Sequence, residues 1–491
     1  MTDAPQPYPA PADHPETIAA FVAMRDGQPQ RARAIAEAAI TRNANNRVLR
    51  FILAQSLTRT NAADKAVRHL QRLVKAEPEN VWFLIELANA LDGTGHTDDA
   101  LRQIDRALAI EPDHDFAILI YAQILRGVGE ARRAWDELSA RIDTLPRTNH
   151  VALALGGVIP KDADATEVLE RLNTSSHNTA LNTAERRGAF FAVAKILDKR
   201  GRYDEAFNAA AAANHLVNGP PSDYHAEVFE QLSPKLVASV EPANLDASHV
   251  VLVCGMPRSG TTVTEQILAA HPRAATAGEF NGLPLVTEQA AKHAAREGFV
   301  PAELATKLAK TYLKSLADHA GTLPAGKQTV LIDKLPTNII ILGLVARLLP
   351  GVRMIRCTRD LRDIAISCHM QDFGDRLVFR TRLDTLADEL LLHERIADRW
   401  RADLGNQMLE SSLEELIADP EPRARALLAH AGLEWDPSVL RYYETKRHVR
   451  TFSVDQVRVG LNASSVGRWK NYERQLAPLI ERLQASGMLT A

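Results

Sequence analysis

The chain has 491 residues, more than one ordinary domain holds and enough for two or three. Its 58 basic and 61 acidic residues leave a formal charge of -3, an average that argues against a nucleic-acid or membrane-surface protein, so any cationic site must be local. The three cysteines, Cys254, Cys357 and Cys368, have no metal-ligand spacing and are too few and odd in number for a disulfide framework, so they read as core thiols of a reducing compartment.

The amino terminus, "MTDAPQPYPAPADHPE", has neither the basic region nor the apolar stretch of a signal peptide. No run reaches the ~20 apolar residues of a membrane span. The sequence thus predicts a soluble cytoplasmic protein with residues 1–12 disordered. A 34-residue period follows. Pro78, Pro112 and Pro146 keep it, as do Ala32, Ala66, Ala100 and Ala134, then Leu57, Leu91 and Leu125, and Gly95 with Gly129. Units of 13–46, 47–80, 81–114 and 115–148 each read as an amphipathic helix, a Gly or Asn turn, and a second helix that ends near proline. The pattern resembles the tetratricopeptide repeat (TPR), with "NVWFLIELANALDGTGHTDDALRQIDRALAIEPD" as its best copy. The stretch 149–220 is less regular, and Gly201 and Ala206 mark a fifth, degenerate unit within it. Residues 221–247 read as a connector. The resemblance implies a helical solenoid, whose concave face often holds a peptide or protein partner; buttressing of the second domain and self-association into a homo-oligomer are the alternatives.

From 248 to 491 the texture changes to short apolar runs alternating with helical patterns. "HVVLVC", "TVLID" and "VRMIRC" predict strands, with helices at 261–270, about 336–348 and about 360–370. The alternation predicts a parallel sheet with ligand-binding loops at the carboxyl ends of its strands. The first such loop is "CGMPRSGTT", residues 254–262. It has the glycine spacing of a phosphate loop, but Thr261 stands where an NTPase has lysine. Its cation is Arg258, which favours a ligand with one modified phosphate over a magnesium-bound triphosphate. No magnesium-binding carboxylate is evident, Asp333 being the sole candidate in principle, which with the missing lysine argues against a kinase or NTPase.

"PRSGTT" resembles the 5'-phosphosulfate loop of sulfotransferases that use 3'-phosphoadenosine 5'-phosphosulfate (PAPS). The likeness is to tyrosylprotein sulfotransferases and to bacterial sulfotransferases fused to tetratricopeptide repeats. "MPRSGTTVTEQILAAHP", "AGEFNG", "DKLPTN", "RDLRDIAIS" and "SVDQVRVGLNASSVGRW" occur in the family's order over about 248–478. The fold so implied is a TPR solenoid followed by an α/β, P-loop-like sulfotransferase domain with a central parallel sheet.

The resemblance implies roles residue by residue. Glu279 is the candidate general base, and Lys334 and Arg258 are the cations at the sulfuryl group and leaving phosphate. Ser259, Gly260, Thr261 and Thr262 hold the 5'-phosphate. Arg359 and Ser367 grip the 3'-phosphate, while Ser453, Arg458 and Arg468 belong to a late loop over the cofactor. No metal is implied, and the product is adenosine 3',5'-bisphosphate. The chain departs from the family at Gln371 and Leu413, which replace an arginine and a tyrosine. Asn281 or Gly282 stands where an arginine holds acidic peptides. Peptide-tyrosine specificity therefore does not transfer, and the leading expectation is PAPS-dependent sulfuryl transfer to an acceptor hydroxyl, with two acceptor classes open: a protein or peptide tyrosine, favoured by the repeats, and a small-molecule or glycan hydroxyl, favoured by the missing arginine. A TPR scaffold with an inactive nucleotide-binding domain is the competing class.

Overall fold

The computed structural model describes residues 14–25, 28–59, 63–217, 224–320, 329–374, 377–444 and 460–489. They form two compact units that divide between Arg202 and Tyr203. The expected disorder of residues 1–12 lies outside the described residues.

The first unit is helical. Each 34-residue stretch holds one helix pair: α1 (Pro15–Arg25) with α2 (Pro29–Ile40), α3 (Arg47–Arg59) with α4 (Ala63–Ala76), α5 (Val81–Asp92) with α6 (Thr97–Ile110), and α7 (Asp115–Gly127) with α8 (Ala131–Ser139). The period has a packing cause. Ala32, Ala66, Ala100 and Ala134 are fully buried, because only a small side chain lets the second helix of a pair approach its neighbours closely. Gly95 and Gly129 turn the chain between helices at φ of 80° and 87°, a left-handed conformation that glycine adopts without steric cost. A ladder of rings keeps the same register. Trp82 stacks on Phe116 at 5.9 Å, and Phe116 meets His150 at 5.4 Å. Three longer-spaced helices complete the unit: α9 (Asn149–Val158), α10 (Thr166–His177) and α11 (Thr183–Lys199). A reciprocal Asn182–Glu185 capping box starts the last.

The division between units falls inside the expected fifth repeat. Its first helix, α11, lies in the first unit, while α12 (Tyr203–His215) belongs to the second. There Phe207 stacks on His369 at 4.8 Å, and Asn214 Nδ2 donates to the His369 carbonyl at 3.0 Å. The expected connector also differs. Residues 224–247 contain α13 (Tyr224–Gln231) and α14 (Pro234–Ala238), and Leu232, Val240, Ala243 and Ala247 are buried in the second unit's core. Apolar burial makes this stretch part of the domain.

The remaining elements are β1 (Val250–Gly255), α15 (Thr261–Ala269), β2 (Ala274–Thr276), α16 (Gly282–Glu297), α17 (Ala302–Ala320), β3 (Val330–Lys334), a 3-10 turn (Pro336–Ile341) running into α18 (Leu342–Leu348), β4 (Arg353–Thr358), α19 (Leu361–His369), α20 (Leu383–Leu404), β5 (Met408–Ser412), α21 (Leu413–Ala418), α22 (Pro420–Ala431) and α23 (Glu473–Ala485). All strands are parallel, in the order β2-β3-β1-β4-β5. The three expected strands are the central ones. The two outer strands are additional: β2 is three residues long, and β5 reads "MLESS" with one buried residue. Edge strands need neither length nor a continuous apolar run.

Central β1 is buried at every position. Its registers put Val253 opposite Lys334 on β3 and Gly255 opposite Cys357 on β4. Their carboxyl ends therefore share one edge of the sheet, where the polar motifs emerge. All three cysteines are free and buried. Among the described residues, no helix is long and apolar enough to cross a membrane.

Candidate active site

The loop after β1 is shaped by close packing. Gly255 has φ of 139°, and a Cβ there would stand 2.5 Å from the Cys357 carbonyl oxygen. Gly260, at φ of 102°, precedes α15, and a Cβ on it would press on Leu413 Cδ1 at 3.2 Å. Leu413, at a position where the family has tyrosine, thus serves as the wall behind the loop. Arg258 takes a left-handed φ of 73°, a conformation that costs a non-glycine residue about 1 kcal/mol or more. Gly260 offers no capping side chain to α15, so the helix's first amides and its dipole face the loop. Ser259, Thr261 and Thr262 are buried around it. The Ser259 Oγ is a buried polar atom without a hydrogen-bond partner.

Two clusters flank the loop. On the β4 side, Arg258 Nε donates to Ser367 Oγ at 2.8 Å, and Arg359 Nη1 donates to the Arg258 carbonyl at 3.1 Å. Arg359 Nη2 donates to the Ser465 carbonyl, while its Nε is buried without a partner. Asp363, in the first turn of α19 and four residues beyond Arg359, is fully buried. Its carboxylate accepts the Gly467 and Trp469 amides at 2.7 and 2.8 Å and lies 3.8 Å from Arg359. This carboxylate therefore fastens the segment bearing Arg468 next to Arg359. Burial holds the Arg359 guanidinium below its ordinary pKa; Asp363 and Glu414 oppose that shift and Arg468 adds to it. Trp469 is a core residue, with the Arg362 guanidinium 3.7 Å above its ring.

On the β3 side, Lys334 has no solvent-exposed side-chain surface, and its Nζ donates to Glu279 Oε1 at 2.7 Å. Main-chain bonds fix the approach: Ala277 N donates to Ile332 O at 2.9 Å and Lys334 N to Gly278 O at 3.1 Å. A second carboxylate, Glu265 on α15, lies 3.7 Å from Lys334 Nζ and accepts Thr276 Oγ1 at 2.6 Å. Glu279 is 38% exposed at its side chain and Glu265 only 3%, so only the former is open to a reactant. Strand alternation sends Asp333 elsewhere. It is fully buried, accepts Tyr312 OH at 2.8 Å, and burial pushes its carboxyl up to about 7. It has no access to a solvated magnesium ion.

Arg258 thus joins Ser367 and Arg359, whereas Glu279 and Lys334 form the other cluster. Ser453 and Arg458 lie outside the described residues. Gln371 spends its amide on the Asp372 carbonyl at 3.3 Å. Asn281 and Gly282 start α16 and supply no cation. His369 is buried against Phe207, and burial lowers its pKa to about 4. Glu265 and Asp363 were missed as supporting residues. For Glu265 the signal is its spacing of four from Thr261 on α15, which puts both on one helix face; for Asp363 it is an acidic residue in the first turn of α19.

Residues 251–437 match the sulfotransferase family, and residues 23–79 and 57–124 match the tetratricopeptide repeat. An uncharacterised protein of Aquifex aeolicus (strain VF5) is 32% identical over 335 residues, 65% of this chain and 44% of that protein. The chain therefore spans less than half of that relative's length. A putative protein-tyrosine sulfotransferase of Caenorhabditis briggsae is 23% identical over 240 residues, 45% of this chain and 80% of that protein. Among solved structures, the sulfotransferase domain of the Synechococcus PCC 7002 olefin synthase aligns with a TM-score of 0.33 at 19% identity, covering 51% of this chain and 97% of that one. The first unit thus carries tetratricopeptide repeats and the second a sulfotransferase-family domain.

Proposed function

We propose that the second unit transfers a sulfuryl group from PAPS to an acceptor hydroxyl. The observation that carries this reading is the 2.7 Å pair of Lys334 and Glu279 at the carboxyl edge of the sheet, beside a phosphate-type loop that lacks the NTPase lysine. The donor suits the residues present. Ser259 Oγ and Arg359 Nε are buried polar atoms without partners, and the loop glycines leave the backbone open to a phosphate.

In the proposed reaction Glu279 takes the hydroxyl proton as the acceptor oxygen attacks sulfur. The bond from sulfur to the bridging oxygen breaks in line, and its electron pair passes to the 5'-phosphate. A phenol with a pKa of ~10 needs a carboxylate in hydrogen-bond reach for this. Lys334 exchanges its contact with Glu279 for the bridging oxygen and stabilises the charge that develops there. Ser259, Gly260, Thr261 and Thr262 hold the 5'-phosphate, and Arg359, Ser367 and Arg468 the 3'-phosphate. Arg258 sits at the 3'-phosphate end while bonded to Ser367, so its action on the leaving phosphate requires that bond to open. None of these steps calls for a metal.

The repeat region favours a protein or peptide hydroxyl such as tyrosine, brought by a partner-binding surface. A small-molecule or glycan hydroxyl is the second reading, favoured by the absence of a cation at Asn281 and Gly282. Three buried free thiols suit a reducing cytoplasm. Labelled sulfate from PAPS is to be followed into the protein and small-molecule fractions of a cell extract. Label in the protein fraction supports the first acceptor class and label in the other the second; no transfer by the wild type, with transfer by a control enzyme, overturns the proposal. Thermal shift gives an independent check: adenosine 3',5'-bisphosphate should stabilise the protein, and stabilisation by Mg-ATP alone would contradict PAPS use.

A further inference from the structure

Away from the loop, two helices of the second unit bring three metal-ligating side chains together. Glu389 and His393 stand one turn apart on α20, so they share a helix face. His225 comes from α13. Both imidazoles address the same carboxylate oxygen: His225 Nδ1 bonds Glu389 Oε1, and His393 Nε2 lies 3.1 Å from it. One ligand atom from each residue lies within 4.8 Å of the others. The imidazole rings stand 6.2 Å apart at 73°.

The surroundings make this more than a surface ion pair. Glu389 and His393 are buried, with Leu386, Leu390 and Phe379 buried on neighbouring positions. His225 keeps 15% of its side-chain surface open, which gives an ion a route in. His393 Nδ1 is buried without a hydrogen-bond partner, so the ring's tautomer is not locked by a second bond. The carboxylate is buried and both imidazoles converge on it, so a cation bound there would replace its lost hydration. Two imidazoles and one carboxylate are a donor set for borderline divalent ions, with a fourth position left to water.

We propose that His225, Glu389 and His393 form a divalent metal site of the zinc class that clamps α13 to α20. The proposal does not depend on the sulfotransferase reading, which uses no metal. Its effect is structural: α13 belongs to the stretch that sequence alone reads as a connector, and a metal bridge would fix it to the long helix that also carries Glu394, the partner of Arg356 on β4 at 2.5 Å.

The test uses the full chain without a histidine tag, stripped with a chelator and reloaded with Zn2+ alone. Metal analysis after desalting should find about one ion per chain, and Co2+ should give the visible spectrum of a low-coordinate site. His225→Asn and His393→Asn should each weaken Zn2+ binding by at least about 100-fold, more than the loss of an outer-shell partner. Zn2+ should raise the wild-type melting temperature and leave both variants unmoved. His225→Asn, at the partly open position, guards against misfolding: its stabilisation by adenosine 3',5'-bisphosphate, or failing that an unchanged circular dichroism spectrum, reports a folded unit. Failure of wild-type protein to retain the ion, or equal retention by a folded His225→Asn chain, overturns the proposal and leaves a hydrogen-bonded His–Glu–His cluster.

Discussion

Replacing Lys334 by methionine separates the fold's demand for this ammonium from that of the chemistry. The side chain has no exposed surface and stands 2.7 Å from Glu279 and 3.7 Å from Glu265. At an effective dielectric of about 20, opposite charges 3.7 Å apart attract by about 4–5 kcal/mol. Glu279 is open enough to be rescued by water, but Glu265 is 3% exposed. Removing one member of such a buried pair costs about 3–5 kcal/mol. At about 2–4 °C per kcal/mol for a unit of this size, Lys334→Met should lower the melting temperature by roughly 10 °C. Adding Glu265→Gln removes the buried carboxylate that has lost its ammonium and keeps an acceptor for Thr276, so the double variant should recover about 1–3 kcal/mol. Neither variant should transfer sulfate, because the amine at the bridging oxygen is gone from both. Scanning calorimetry and label transfer from PAPS read the two effects separately. A double variant no more stable than Lys334→Met refutes the buried-triad argument. Wild-type turnover in the double variant removes Lys334 from the transfer centre.

Glu279→Gln should bind adenosine 3',5'-bisphosphate as the wild type does and lose about 10²–10⁴-fold in turnover; calorimetric titration and label transfer measure both. Arg359→Ala should weaken the same ligand by roughly 10- to 150-fold, the worth of a charged hydrogen bond of about 1.5–3 kcal/mol, and should change affinity for adenosine 5'-monophosphate much less. Gly255→Ala should leave little folded protein, since the new Cβ meets the Cys357 backbone oxygen at 2.5 Å in a strand that cannot yield; expression and circular dichroism report it. Asp333→Asn tests a pH effect. Burial raises the Asp333 carboxyl to about 7, so between the ordinary ~3.9 and that value the native state holds a proton that the unfolded state has lost. Stability from this group is present at low pH and declines as pH rises through the window. The melting temperature of Asp333→Asn relative to wild type should therefore climb from pH 4 to pH 8, with Tyr312 still able to donate to the amide oxygen; a flat difference contradicts the assignment.

What the sequence made legible follows from where the physics is local. The 34-residue period repeats one packing solution, so each buried alanine is announced by three others. The phosphate-type loop is equally visible, because its glycines answer to backbone positions that another residue would obstruct. Edge strands β2 and β5 carry no such signature: one is three residues long, and the other buries only the first of its five residues. Long-range partners were hidden for a different reason. Arg258 and Ser367 are separated by 109 residues, and His225 and Glu389 by 164, distances over which spacing says nothing.

The strained arginine shows how far this matters for the chemistry. Arg258 occupies a left-handed backbone position where glycine would be more stable, so its retention in that conformation must be supported by what its side chain and carbonyl do. Both are engaged on the β4 side, the Nε by Ser367 and the carbonyl by Arg359. Lys334 stands alone among these cations beside Glu279. The two ends of the donor would then meet different cations: the 3'-phosphate meets a pair of arginines held by Ser367 and Asp363, and the transferring group meets one lysine held by two carboxylates. A loop lysine in the NTPase position would sit at the first turn of α15, where Thr261 is buried. In place of one lysine on the loop helix, the positive charge around this loop comes from Arg258 within it, Lys334 at the end of β3 and Arg359 just after β4.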